Sequence, residues 1–170
     1  LLTLILLMAK IFETDAEIVD LAETVYGETG LAQMGFTLKV MSVTKSKDLL
    51  KVSKANATTE FLVNDTDIIT LYVYEDAFER LGEEYMRVLM EGALSNVYYD
   101  TEKEKLMIDN TRYGEFIRMR RKYPTYGDII ETSVAVMEEI EQEEKQRKEA
   151  EKENKSKKNI VGIQSIFCPE

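Results

Sequence analysis

The sequence predicts an α+β fold, a small mixed β-sheet packed on helices and followed by a long charged C-terminal helix. Three observations carry this. The run Ile68-Ile69-Thr70-Leu71-Tyr72-Val73 is β-branched, aromatic and nearly all apolar, as a central strand covered on both faces must be. Apolar residues recur at helical spacing on either side of it, in 14–28 and 83–97. From Glu141 to Asn159 the only aliphatic side chain is Ala150, in a stretch crowded with Glu, Lys and Arg.

The elements follow in order. Thr14 is the expected cap of the first helix, with Glu17 three residues on as its capping-box partner. Ile18, Leu21, Ala22 and Val25 form its apolar face, and Gly27 and Gly30 end it. Phe36 to Val43 alternates like a strand, with Phe36, Leu38, Val40 and Ser42 on one side. Residues 45–54 carry Lys45, Lys47, Lys51 and Lys54 against a single Asp48, on a short strand near Leu49–Val52. Asn64-Asp65-Thr66-Asp67 reads as a turn before the central strand.

After the strand, Glu75–Leu81 predicts a helical turn that breaks at Gly82. Glu83–Val97 predicts a helix with Tyr85, Val88, Leu89 and Leu94 inward, and Glu83 and Glu84 suit its positive end. Tyr98–Ile108 fits a hairpin turning at Thr101–Lys105. Thr111–Lys122 predicts a helix with Tyr113, Phe116 and Ile117 buried, and Pro124 separates it from the last helix, which begins at Tyr126 or Gly127. The last helix has an apolar face through Ile129, Ile130, Val134, Met137 and Ile140. Beyond it, Glu141–Lys145, Glu143–Arg147, Glu144–Lys148, Glu151–Lys155 and Glu153–Lys157 stand at i,i+4, the spacing of ion pairs that support an exposed helix. No heptad seam is present, so this is a solvated single helix or a frayed tail and not a coiled coil.

Composition excludes several chemistries. Histidine is absent and Cys168 is the single cysteine, so the common zinc ligand sets cannot be assembled. Ser-His-Asp and Cys-His arrangements cannot form either, nor can an internal disulfide. The net charge of −10 argues against broad nucleic-acid binding, which needs a basic footprint. The apolar start, Leu1 to Met8, is too short for a membrane span and lacks the basic flank of a signal peptide. It is expected to be an edge strand or sticky tail, or a non-native extension ahead of Met8.

With the strand Ile68–Tyr74, the charged step Glu75-Asp76, a helix through Val88–Val97 and the later Thr111–Phe116 in that order, Asp65–Phe116 resembles a family of phage metallopeptidases, small zincin-like proteins, in the diverged form found in crAss-like phages. A strand, Ile68–Tyr74, ends in the charged step Glu75-Asp76 and a helical Ala77-Phe78-Glu79-Arg80-Leu81. The next helix carries the metal motif in that family, roughly Ala-Leu-x-x-His-Glu-Leu-x-His-Val, and leads into a hairpin. A later His-Asp-x-x-Glu-Phe opens the following helix. In this chain the two stretches read Val88-Leu89-Met90-Glu91-Gly92-Ala93-Leu94-Ser95-Asn96-Val97 and Thr111-Arg112-Tyr113-Gly114-Glu115-Phe116. The resemblance spans about residues 10–140.

The departures govern what the resemblance implies. His-Glu-x-x-His sets two imidazoles on one helix face to hold zinc, with the Glu as general base. The matching positions are Gly92, Ala93 and Asn96, so both ligands and the base are gone. Thr111-Arg112 replaces the later His-Asp, while Glu115 and Phe116 survive. The resemblance therefore implies a zincin-like scaffold without catalysis, metal or cofactor. An oxygen-only cation site would need Glu91, Asn96, Asp100 and Glu115 to converge; solvation and ion pairing are the simpler expectation for them.

The expected organisation is an apolar leader (1–9), a zincin-like domain (10–140), a charged helical extension (141–159) and a tail (160–170). The expected role is binding, as an accessory or virion-associated phage protein whose partner is another phage or host protein. Its expected location is the bacterial host cytoplasm or the virion, without a membrane span. The alternative is a nucleic-acid-associated protein using Lys45, Lys47, Lys51 and Lys54 within the face Lys39–Lys54, together with Arg118, Arg121 and Lys122.

Overall fold

The computed structural model describes residues 11–44, 46–55, 67–109 and 111–164. The leader 1–9, Lys45, the turn residues Asn64, Asp65 and Thr66, and residues 165–170 lie outside them. The fold is α+β, as the sequence predicts. Its elements are β1 (Ile11–Phe12), α1 (Ala16–Glu28), β2 (Thr37–Val43), β3 (Leu50–Lys54), β4 (Ile68–Val73), α2 (Glu75–Leu81), α3 (Glu83–Leu94), β5 (Val97–Asp100), β6 (Lys105–Ile108), α4 (Arg112–Lys122) and α5 (Tyr126–Gln164).

A mixed four-stranded sheet has the order β1-β2-β4-β3. β4 lies parallel to β2 and antiparallel to β3, so it is central, and all its residues but Tyr72 are buried. β5 and β6 form a separate hairpin, with Val97 opposite Ile108 and Asp100 opposite Lys105. α3 packs its fully buried Met86, Met90 and Leu94 into the core beside Ile69, Leu71 and Val73. These three residues stand four apart and mark the centre of its apolar face. Val88 and Leu89 flank them, and Tyr85 is half-buried.

Several local expectations are corrected. Asp15 caps α1, its Oδ1 accepting the Glu17 N–H at 2.9 Å, while Thr14 is buried with no hydrogen-bond partner for its hydroxyl among the described residues. Asp15 holds the cap because the sheet side fixes it: its own N–H donates to Glu75 Oε1 at 3.2 Å, and the buried Ser42 hydroxyl donates to the same oxygen. Gly27 lies inside α1, and the chain turns at Gly30 with φ +79. Tyr113 is 76% exposed, because the buried face of α4 runs through Met119 with Phe116 beside it. On α5, Val134 is 51% exposed and Ser133 takes the inward place, its hydroxyl donating to the Ile130 carbonyl at 2.7 Å. The stripe Tyr126, Ile129, Ser133, Ile140 keeps one helix face, and Val134 stands about 100° away from it.

The last helix is a single element of 39 residues, about 58 Å long at 1.5 Å per residue. It stays in contact with the domain one turn past Ile140. Arg80 grips Glu143 through a fork of 2.6 and 3.1 Å, and the Tyr74 hydroxyl reaches Glu144 at 3.4 Å. Glu143 therefore serves Arg80 and not the expected Arg147. Glu141–Lys145 (2.8 Å) and Glu144–Lys148 (3.2 Å) form as expected. The pairs at Lys155 and Lys157 rest on side chains outside the described ones. The helix also continues past Asn159 to Gln164. Among the described residues no helix is long and apolar enough to cross a membrane.

Candidate functional site

A groove of about 1110 Å³ runs between the edge strand β3 and the first half of α5. β3 supplies Leu50, Lys51 and Val52 on one side, and α5 supplies Ile130, Ser133, Met137 and Glu138 on the other. The floor is Leu89 and Ala93 of α3, Asn96 after it, and Glu115 and Phe116 of α4. The phase of the β3–β4 ladder decides what the edge offers. Tyr74 N–H donates to the Leu49 carbonyl and Ala55 N–H to the Ile68 carbonyl, so the odd-numbered residues of β3 bond to β4. Leu50 and Val52 turn their N–H and C=O toward the groove, where no backbone hydrogen bond to them is found among the described residues.

The floor carries a chain of hydrogen bonds. Tyr126 donates its hydroxyl to Glu115 Oε1 at 2.6 Å. Asn96 donates its amide to Glu115 Oε2 at 2.6 Å and accepts from Arg118 Nη2 at 2.6 Å. Arg118 also stands 3.9 Å from Asp109. Tyr126 is 1% exposed, and burial, then the bond to Glu115, pushes its phenol well above its ordinary range. Gly92 leaves the room for this arrangement. A Cβ there would lie 2.7 Å from the Tyr126 hydroxyl oxygen and 3.0 Å from Glu115 Oε1. Contact that close forces a displacement of the tyrosine hydroxyl.

A second polar cluster sits behind the floor. Glu91 accepts from Lys122 Nζ at 2.6 Å and from the Tyr123 hydroxyl at 2.7 Å. Burial pushes the Glu91 carboxyl up, but the bonds from Lys122 and Tyr123 outweigh it and hold the group below its ordinary range. Asp100 is occupied in the hairpin turn by the N–H groups of Glu102 and Lys103. The four oxygen ligands considered from the sequence are therefore split, and only Asn96 and Glu115 meet. Among the described residues no three His, Cys, Asp or Glu side chains are grouped to hold a metal ion.

The structure brings Gly92, Ala93, Asn96 and Glu115 to one place, although 92 and 93 lie on α3, 96 in the following turn and 115 on α4. Of the basic residues, Lys45 lies outside the described ones and several of the others are engaged within the chain. Lys47 and Lys51 are exposed on the groove rim, and Lys54 donates to the Leu106 carbonyl at 2.8 Å. Arg118 and Lys122 are engaged with Asn96, Asp109 and Glu91, while Arg121 is exposed. The residue missed from sequence is Tyr126. Its signal was the glycine at 92, in the middle of an otherwise strong helix, which marks close approach by another group. Comparisons with family models, with curated proteins and with solved structures each returned no match.

Proposed function

We propose that this chain is a catalytically inactive, metallopeptidase-like phage protein that works by binding. Its groove would take an extended segment of a partner polypeptide, in an accessory or virion-associated role within the host cell or the particle. The observation that carries this is the floor of the groove. The positions matched to the two ligands and the base of the family motif, Gly92, Asn96 and Ala93, gather beside Glu115. There the space against Gly92 is filled by the Tyr126 hydroxyl. Hydrolysis by this route needs a metal to activate water, and Gly92, Ala93 and Asn96 offer no such ligand set. Binding needs less. An edge strand with outward N–H and C=O groups at Leu50 and Val52 is a template for an added strand, with side-chain pockets below.

Elemental analysis of purified protein should find no stoichiometric zinc, and peptide cleavage should be absent with or without chelator. Stoichiometric zinc together with chelator-sensitive cleavage overturns the proposal. A peptide-display selection against the immobilised chain should return extended segments whose binding is lost in Val52→Pro, which deletes one outward donor and leaves the β4 ladder intact. Selected peptides indifferent to that substitution would remove the groove from the account.

The second possibility, a nucleic-acid-associated protein using Lys39–Lys54 and Arg118–Lys122, draws on the exposed Lys47 and Lys51. It is weakened by the internal pairing of Arg118 and Lys122. Changing Arg118, Arg121 and Lys122 together to Ala should reduce both affinity and its salt slope if it holds.

A further inference from the structure

We infer that Glu115 is a recognition point for one basic side chain, lysine or arginine, of the segment lying in the groove. This rests on the binding role proposed above and adds the partner's chemistry to it. Both oxygens of the half-buried Glu115 carboxylate accept hydrogen bonds, the pattern of the ionised form. Yet both donors, the Tyr126 hydroxyl and the Asn96 amide, are neutral. The cation nearby, Arg118, gives its guanidinium to Asn96 and Asp109, and among the described residues no ion pair is made to Glu115.

Most of its acidic neighbours along the groove differ, and Glu138, which has no ion pair among the described residues either, is exposed to water where Glu115 is half-buried. Asp48 pairs with Arg112, Asp109 with Arg118, Glu141 with Lys145 and Glu144 with Lys148. Glu115 is thus a carboxylate held in orientation on two sides without a direct ion pair among the described residues, the Arg118 guanidinium reaching it only through Asn96. Charges withdrawn from water are ordinarily compensated, so a cation entering the groove meets a carboxylate already aimed and partly desolvated. Leu89, Phe116 and Ile130 line the same space and suit the aliphatic stem of a long basic side chain. A strand added to the β3 edge would send alternate side chains down toward this floor.

The test uses three capped, fluorescently labelled nonapeptides of alternating Thr and Val whose central residue is Arg, Gln or Glu. Binding to the full chain is read by polarisation. The Arg peptide should bind about tenfold more tightly than the Gln peptide, as expected for a hydrogen bond to a charged group. The Glu peptide should bind most weakly. Glu115→Gln, checked for an unchanged circular dichroism spectrum, should reduce the Arg advantage below about twofold. Ala93→Lys, which tethers a cation on the groove floor, should do the same without touching the carboxylate. Equal binding of the Arg and Gln peptides, lost in Val52→Pro, overturns the cation site and leaves the groove role standing. An Arg preference that survives both variants also overturns it. Failure of all three peptides to bind overturns the cation site and the groove role together.

Discussion

The last helix is one continuous element with two kinds of support. From Tyr126 to Glu144 it is held by the domain: Tyr126, Ile129 and Ile140 are buried, and Glu143 and Glu144 are reached by Arg80 and Tyr74. From Lys145 to Asn154 every residue is exposed, and Lys145 and Lys148 form ion pairs with acids four residues back on the same helix. Backbone geometry is the same in both halves, so helicity alone says nothing about what a stretch contributes. Contacts off the helix decide it. The first half closes the core and builds most of one wall of the groove, and the second half, which adds the Lys145 and Lys148 side chains to that wall, rests more on local propensity and ion pairs.

The sharpest way to break this comparison is at Tyr126. Tyr126→Ala removes a buried ring packed 6.0 Å from Phe116, together with the donor to Glu115. It should cost about 3–5 kcal/mol in chemical denaturation, the range for large aromatic truncations. A loss under about 1 kcal/mol would mean that the first half is no better anchored than the second. Next in size is Gly92→Ala. Replacing a mid-helix glycine gains about 1 kcal/mol of propensity, but the new Cβ would force Tyr126 and Glu115 apart at a cost of about 2–3 kcal/mol. The net should be about 1–2 kcal/mol of destabilisation. In a Tyr126→Phe background the sign should reverse, and a double-mutant cycle would measure the coupling.

A third comparison sets two similar ion pairs against each other. Lys122–Glu91 and Lys145–Glu141 have nearly equal lengths, 2.6 and 2.8 Å, but the acid is 15% exposed in the first and 67% in the second. Glu91→Gln should cost on the order of 1 kcal/mol at neutral pH, discounted for the exposure of Lys122. Because the folded Glu91 titrates below 4.5, that stability is present above 4.5 and fades as pH falls through the lower folded value. Wild type and Glu91→Gln should therefore converge in acid. Glu141→Gln should leave the denaturation midpoint unchanged and only lower helicity, an effect erased by salt. The smallest effect is expected from limited proteolysis. Cleavage beyond Lys145 should leave a core whose melting temperature matches the intact chain.

Much of the fold was legible because it rests on local pattern. The run 68–73 could only be a covered strand, and the hairpin at 97–108 announced its own turn. Gly92, Ala93, Asn96 and Glu115 were singled out by the resemblance, and the packing of α4 on α3 brings them together. Errors arose where tertiary contacts chose between locally equivalent residues. Thr14 and Asp15 are both able caps, and Glu75 across the sheet favours the second. Val134 is more apolar than Ser133, yet helix phase and a bond to Ile130 put the serine inside. The wide separation of Tyr126 from Gly92 left no pattern to read beyond the glycine itself. Lysine spacing likewise could not reveal that Lys122 is tied to Glu91.

The close approach at Gly92 has a historical corollary. The Tyr126 hydroxyl lies where any side chain at position 92 would begin. A residue larger than glycine there fits without displacement only where that hydroxyl is absent, and the hydroxyl fits without displacement only opposite glycine. The order of substitution is therefore constrained, and the two sites form a ratchet. Once both members are in place, no single-step change at 92 introduces a side chain without displacing the tyrosine hydroxyl.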